Sequence, residues 1–300
     1  MDPALSGRAG LIACAHGRWT GTAEPAGWAA PAAPPSARSL LLTMAGEMLP
    51  DRPEGAWTTA LLRVLGGLGI EDHAGRQVLA RSAAAGWLER ERVGRSVRWQ
   101  LAGHGRELVA EGVRRSETYL AADDGWDRRW LFLYVSVPQQ QRTTRKRLYG
   151  GLDWLGMGNP TPGLWVSPHN ERAPELQRLI ADLGLEDTAV AVTGPTAGVG
   201  MTDAQLVDRS WDLTELAAQY RRFIDQEADA PEPDGPDAVL LTYLDLLNLQ
   251  QRFMRRDPQL PSALLPEWVG REAAALLRER RRRWARRAHA RFWQIVDESA

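Results

Sequence analysis

At 300 residues, with 44 % hydrophobic side chains and 13 Trp, the chain exceeds one typical domain and holds ample material for cores. No apolar stretch approaches the ~20 residues a bilayer crossing needs, the first residues lack a basic-then-apolar export signal, and the lone Cys14 excludes an internal disulfide, so a cytoplasmic protein without a membrane partner is expected. The formal charge of −1 hides its distribution: residues 37–111 carry ten Arg against nine acidic side chains, and Lys146 is the only lysine in the chain. Residues 1–36, rich in Ala, Gly and Pro, read as a disordered tail. Two apolar helices follow at Ala37–Met48 and Thr58–Leu65, then a Gly66-Gly67-Leu68-Gly69-Ile70 turn and a third helix near Asp72–Ala85, with Asp72 as its N-cap. Gly86 stops that helix. A hairpin comes next, from Trp87-Leu88-Glu89-Arg90 through Gly94 to Val97-Arg98-Trp99-Gln100-Leu101, and a helix near Gly103–Ser116 closes the region.

After a break at Asp123-Asp124-Gly125, the apolar run Trp130–Val137 reads as a central strand. A helix over Arg142–Leu155, a strand at Gly163–Ser167, a helix at Pro174–Leu183 and a strand at Ala189–Thr193 follow, and 211–227 reads as a further amphipathic helix. That order suits a ferredoxin-like α+β domain. An acidic, Pro-containing linker (Ala228–Asp237) leads to helix Ala238–Arg255 and a last helix from Gly270 to Asp297. The expected architecture is thus α+β in three parts: a winged helix-turn-helix over 37–122, a ferredoxin-like domain over 123–228 and an α-helical C-terminal domain over 237–300.

On the third helix His73, Arg76, Gln77, Ala80 and Arg81 share one face, and Ala74, Val78 and Ser82 another. A helix with one packed face and one face of Arg and Gln suits a major groove, where Arg reads guanine and Gln reads adenine by paired hydrogen bonds. Arg92, Arg95 and Arg98 sit at or near the hairpin tip, where a wing touches phosphate or the minor groove. The plainer reading of the same pattern is a helical bundle with solvated arginines. Residues 276–293 hold eight Arg and one Glu, a basic helix suited to nucleic acid, an acidic partner or ligand phosphates, or else a solvated face beside the acidic 208–237 segment.

These pieces together resemble one family, the PaaX-type transcriptional repressors of phenylacetate catabolism. The resemblance runs from Ala37-Arg-Ser-Leu-Leu-Leu-Thr through Trp57, Leu68-Gly69-Ile70, Arg76, Arg81 and Gly86-Trp87-Leu88 to Gly94-Arg95 and Trp99-Gln100-Leu101. It continues in Trp126-Asp-Arg-Arg-Trp130, Leu152-Asp-Trp-Leu-Gly156, Pro162-Gly-Leu-Trp-Val-Ser-Pro168 and Tyr220-Arg-Arg-Phe-Ile-Asp225. Arg255-Arg-Asp-Pro-Gln-Leu-Pro261 and Leu264-Leu-Pro-Glu-Trp-Val-Gly270 complete it. Ala74, Gly75 and Ser82 stand where the family tends to place larger apolar side chains, and the first 36 residues have no family counterpart. The resemblance implies a homodimer on a double-stranded DNA operator; from the helix and hairpin pattern, Arg76, Gln77 and Arg81 are the candidates for base-edge contacts, His73 is a DNA-facing or solvated residue, and Arg95 and Arg98 are the candidates for phosphate or minor-groove contact. It also implies release by an acyl-CoA effector such as phenylacetyl-CoA. Arg142, Arg145, Lys146 and Arg147 are one candidate phosphate site for such a ligand; the Arg278–Arg291 face is the other. A same-fold regulator with a different effector, and a nucleic-acid-processing ferredoxin-like enzyme, remain as alternatives.

Catalytic and cofactor signals are missing. The histidines at 16, 73, 104, 169 and 289 show no metal-ligand spacing. Gly194–Gly200 is glycine-rich but lacks the Lys-Ser/Thr of a phosphate loop and reads as a flexible hairpin, and no Gly-x-Ser-x-Gly elbow occurs. The middle domain looks like the ferredoxin-like fold of small CRISPR-associated nucleases. Its first strand ends Val135-Ser136-Val137-Pro138 without a metal-binding carboxylate, so no nuclease, no cofactor and no metal are expected.

Overall fold

The computed structural model describes residues 35–50, 52–120 and 125–300. The predicted tail, with Cys14, lies outside these apart from its last two residues, as does most of the break at Asp123-Asp124-Gly125. In chain order the first elements are α1 (Ala37–Met48), β1 (Ala56–Trp57), α2 (Thr58–Gly67), α3 (Asp72–Ala84), β2 (Leu88–Val93), β3 (Ser96–Leu101) and α4 (Gly103–Thr118). Next come β4 (Trp130–Val135), α5 (Arg142–Trp154), β5 (Gly158–Thr161), β6 (Leu164–Ser167), α6 (Ala173–Asp182) and β7 (Ala189–Gly194). Helices α7 (Asp203–Ser210), α8 (Thr214–Asp229), α9 (Gly235–Arg256) and α10 (Gly270–Glu298) complete a mixed α+β chain with two small antiparallel sheets.

The described residues form two compact units that interleave along the sequence. One comprises residues 35–119, Gln219–Arg252 and Gly270–Ala300; the other comprises Leu120–Ala218 and Phe253–Val269.

In the first unit, Ser36 caps α1 by accepting the Ser39 amide at 3.1 Å. Leu40, Leu41, Met44 and Met48 on α1, Leu61 and Leu65 on α2, and Val78 and Leu79 on α3 are buried. Each such side chain contributes about 1.5–3 kcal/mol of transfer free energy. Helix α2 runs two residues beyond the predicted end and stops where Gly69 enters the left-handed region at φ 81°. There the Ile70 amide bonds back to the Leu65 carbonyl at 2.9 Å. The N-cap of α3 is Glu71 rather than the predicted Asp72; Asp72 is the first helical residue, where its charge still faces the positive end of the helix dipole. Two-residue β1, unforeseen in the sequence because so short a run has no periodicity, pairs with β3 through Ala56↔Trp99 and Trp57↔Arg98, extending the hairpin to the order β1-β3-β2.

Helices α9 and α10 pack on α1, α2 and α4 within this unit. Ser39 donates to Asn248 at 2.8 Å, Thr43 to Gln251 at 3.1 Å, and Arg63 to Glu298 at 2.9 Å. On α9, burial pushes the Asp245 carboxyl up to about 6, only partly offset by Arg252. A carboxyl raised above its unfolded value opposes folding once ionised, so this penalty grows as pH rises from about 4 to 6 and is complete at pH 7. Asp245→Asn is therefore expected to stabilise the protein by about 1–3 kcal/mol at pH 7.5. Urea unfolding at pH 7.5 and pH 5 checks this, with the gap between variant and wild type narrowing at the lower pH.

In the second unit, strands β4, β5, β6 and β7 form a sheet of order β5-β6-β4-β7 with every neighbouring pair antiparallel. With α5 between β4 and β5, and α6 between β6 and β7, this is the ferredoxin-like arrangement. Leu131, Leu133 and Val135 face Leu148 and Leu152 of α5 and Leu176 and Ile180 of α6. On the opposite face Trp130 and Val166 pack against Leu206 and Val207 of α7 and against Leu260. Trp130 meets Trp126 edge-on at 5.3 Å, stacks on Trp211 at 6.4 Å, and donates its indole N–H to Asp203 at 2.9 Å.

Three local expectations are corrected here, and one strand is added. Strand β4 ends at Val135, not Val137. Strand β5, in Gly158-Asn-Pro-Thr161, is a further strand without a pattern of its own; it is an edge strand, where Pro160 costs no ladder bond. Gly194–Gly200 does not form a hairpin but leads from β7 into α7. The predicted helix over 211–227 begins only at Thr214, because the Asp212 carboxylate accepts the Thr214 amide at 3.1 Å.

Candidate nucleic-acid interface

Helix α3 turns its small and apolar side toward the core. Gly75, Val78, Leu79 and Ser82 are buried, while His73, Arg76, Gln77, Ala80 and Arg81 are all exposed. A Cβ on Gly75 would lie 2.5 Å from Leu62 Cδ2, so the glycine that departs from the family pattern lets α3 sit close on α2. At the far end Gly86 adopts φ 72°, and the Trp87 amide returns to the Ser82 carbonyl at 3.0 Å. This closure fixes the angle at which the hairpin leaves the helix.

The exposed face is ordered by its own side chains. Arg76 Nε and Nη2 lie 3.2 and 3.1 Å from Asp72 Oδ2, and Gln77 Nε2 lies 2.8 Å from His73 Nε2. Such exposed i,i+4 pairs are worth about 0.3–0.5 kcal/mol. They hold the side chains extended yet exchange readily for a stronger partner. Arg81 is exposed at the last turn.

The hairpin is anchored to the start of α2. Trp99 donates its indole N–H to Thr58 Oγ1 at 2.8 Å, and the Thr58 hydroxyl donates to the Val97 carbonyl at 3.1 Å. In the register Arg90↔Trp99, Glu91↔Arg98 and Arg92↔Val97, Arg92 and Arg98 point to opposite faces of the ribbon. Arg95 lies in the turn and Arg92 donates to the Gly94 carbonyl there at 3.2 Å. Arg98 stands back from the tip, its guanidinium 4.2 Å from the Trp57 ring centre, a stacking contact worth about 0.5–2 kcal/mol. The anchoring role of Thr58 and Trp57 carries no sequence signal, since both depend on β1 pairing with β3.

The two candidate phosphate sites differ in how free their cations are. At the start of α5, Arg142, Lys146 and Arg147 are exposed, whereas Arg145 donates to the Val137 carbonyl at 3.0 Å. Along α10, five of the eight arginines in residues 276–293 have internal partners. Arg278 donates to the Tyr119 carbonyl at 2.9 Å, and Arg280 grips Glu227 at 2.7 Å and Glu232 at 3.2 Å. Arg281 meets Glu47 at 3.0 Å, Arg283 meets Glu232 at 3.1 Å, and Arg291 bridges Asp237 and Glu298. Glu227 is almost wholly buried, and that burial raises its carboxyl despite the Arg280 charge and hydrogen bond. Among the described residues no group of three His, Cys, Asp or Glu could hold a metal ion, and no helix is long and apolar enough to cross a membrane.

Three family models match in succession: PaaX-like protein over residues 36–105, PaaX protein central Cas2-like domain over 123–207, and PaaX-like protein C-terminal domain over 211–294. The chain belongs to the PaaX family. It is 29 % identical over 256 residues to Transcriptional repressor PaaX of Escherichia coli (strain K12), covering 82 % of this chain and 79 % of that one. Among solved structures it is similar to the uncharacterized protein Rv0674 of Mycobacterium tuberculosis, with a TM-score of 0.56 and 22 % identity over 87 % of this chain and 98 % of that one. That second likeness speaks to the fold alone.

Proposed function

We propose that this chain is a DNA-binding transcriptional repressor of phenylacetate or related aromatic-acid catabolism, whose N-terminal helices and hairpin act as a winged helix-turn-helix. It is a regulator rather than an enzyme, and acts where the chromosome is, in the cytoplasm. The observation that carries the reading is the exposed face of α3, where Arg76, Gln77 and Arg81 project from a helix clamped at both ends by left-handed glycines. Together with the likeness to Transcriptional repressor PaaX, this supports base-edge contacts by those three side chains, with His73 orienting Gln77. Arg95, at the hairpin turn, is the phosphate contact; Arg98, stacked on Trp57, stiffens the wing beside it.

Arg76→Ala is expected to weaken operator binding by about 1–3 kcal/mol and to relax preference at one base pair. Arg95→Ala should weaken all sequences alike and lower the salt dependence by about one phosphate. Fluorescence anisotropy on specific and scrambled duplexes over a salt series separates the two. Equal operator affinity for Arg76→Ala and wild type would remove α3 as the reading element.

A homodimer is part of this reading. Strand β7 is an edge strand with no charged residue or proline, and Val190 and Val192 are 62 and 57 % exposed beside Tyr134 on the neighbouring strand. Edges of this kind invite pairing. Two copies of β7 paired antiparallel about a two-fold axis would bring Glu186 and Asp187, which precede one strand, toward Arg129 at the end of the other. An acyl-CoA effector is expected to place its phosphates on Arg142, Lys146 and Arg147. Sedimentation of the free protein tests the dimer, and anisotropy on the gene's own upstream DNA, titrated with phenylacetyl-CoA, phenylacetate and free CoA, tests the effector. Release by the thioester alone supports the reading; release by none of them moves the effector to another ligand class.

A further inference from the structure

Helix α10 spends most of its arginines inside the protein, and the exceptions share one outward sector. Arg278, Arg280, Arg281, Arg283 and Arg291 all meet carboxylates or a carbonyl, but Arg282, Arg286 and Arg287 are exposed and form no ion pair among the described residues. Arg282 and Arg286 stand one turn apart, as do Arg283 and Arg287. Like charges at that spacing destabilise a helix by a few tenths of a kcal/mol each, and only Glu279, three residues before Arg282, and Glu232, on Arg283, offset them locally. Exposed Glu279 lies one turn before Arg282 on the same side, so the sector is not free of acid, but the three unpaired arginines outnumber it and leave a net positive surface that fits a polyanion.

The position of the helix argues for DNA as the polyanion. Helix α10 belongs to the same compact unit as α3 and the hairpin, and packs on α2, where Glu298 meets Arg63 at 2.9 Å. In a helix-turn-helix the first of the two helices, here α2, crosses the DNA backbone. From Glu298 back to Arg282 the helix covers roughly 24 Å, a distance of about 7 base pairs of duplex. We propose that Arg282, Arg286 and Arg287 form a second DNA-contacting surface that holds backbone phosphates flanking the bases read by α3. This rests on the reading of the N-terminal elements as a DNA-binding domain.

The test compares the full-length protein with the triple variant Arg282→Ala, Arg286→Ala, Arg287→Ala, and with Arg286→Glu, on two duplexes. One carries only the operator core; the other extends it by about one helical turn on each side. All three positions are exposed, and matching thermal unfolding curves confirm that the variants fold. On the extended duplex the triple variant should lose about 2–3 from the slope of log affinity against log salt. On the core duplex it should match wild type. Unchanged slopes on the extended duplex overturn the proposal. So does capture of polyglutamate by wild type and not by the variant when the slopes are unchanged, which would assign the sector to an acidic protein. If wild type binds neither duplex specifically, the DNA-binding reading itself fails, an outcome distinct from a failure of this surface alone.

Discussion

Gly105→Ala should cost about 2–4 kcal/mol of stability and weaken operator binding, although alanine is the better helix former. Gly105 is the third residue of α4, and a Cβ there would lie 2.1 Å from the Trp87 carbonyl oxygen and 3.0 Å from its carbon. Both sides of that contact are backbone, so no side chain can rotate away. The same carbonyl accepts the Ala102 amide at 2.9 Å, the bond that ties the start of α4 to the start of β2. A methyl group inserted here pushes α4 from the hairpin and strains this bond. The gain of up to ~1 kcal/mol from helix propensity is outweighed. Gly112 on the same helix has open space around its missing Cβ, and Gly112→Ala is expected to gain up to about 1 kcal/mol. Urea unfolding of both variants checks the pair: a Gly105→Ala protein as stable as Gly112→Ala would contradict the packing argument.

The second large effect centres on Glu47, near the C-terminal end of α1. A carboxylate there meets the negative end of the helix dipole, yet Glu47 is mostly buried, its side chain 16 % exposed. Three donors from the C-terminal helices hold it. Tyr243 of α9 donates its hydroxyl, His289 of α10 lies 3.2 Å from Oε1, and Arg281 of α10 lies 3.0 Å from Oε2. Arg281 also donates to Ser116 at 2.9 Å, drawing α4 into the same cluster. Burial opposes ionisation of Glu47, but the His289 and Tyr243 hydrogen bonds and the Arg281 charge outweigh it and hold the carboxyl below its usual range. Glu47→Ala leaves these donors facing one another without an acceptor and is expected to cost about 3 kcal/mol; Glu47→Gln, which keeps an acceptor, should cost less. Because the folded value is depressed, this stabilisation is complete above the ordinary glutamate range and is lost as pH falls through the folded value. Thermal unfolding at neutral pH and near pH 3.5 checks the sign, with the difference between Glu47→Ala and wild type smaller in acid.

Sequence reading captured what periodicity and punctuation encode. The outward set on α3 is the predicted His73, Arg76, Gln77, Ala80 and Arg81, because a five-residue pattern on an isolated helix face leaves one rotation that buries Val78. Gly86 ends that helix as expected, and the family membership was legible from the ordered motifs. Elements defined by a partner strand were not legible: β1 and β5 have no pattern of their own and exist through pairing with β3 and β6. Helix α7 does carry a local signal, the Thr202-x-x-Gln205 capping box, but it is only eight residues long and follows a glycine-rich stretch that favours loop. The ion pairs that consume Arg280, Arg281 and Arg291 lie beyond any local pattern, since Glu47, Glu227 and Asp237 are contributed from distant stretches of chain.

The interleaving of the two units has a consequence for biosynthesis. The helices and hairpin proposed to hold DNA leave the ribosome first, but their unit also includes Gln219–Arg252 and Gly270–Ala300. Glu47, Ser39 and Thr43 wait for donors and acceptors that emerge roughly 200 residues later, about 10–40 s at ordinary rates of translation. A nascent or prematurely terminated chain thus lacks the braces that lock α1 and α2. The N-terminal helices are therefore expected to reach their full stability only once α9 and α10 have emerged.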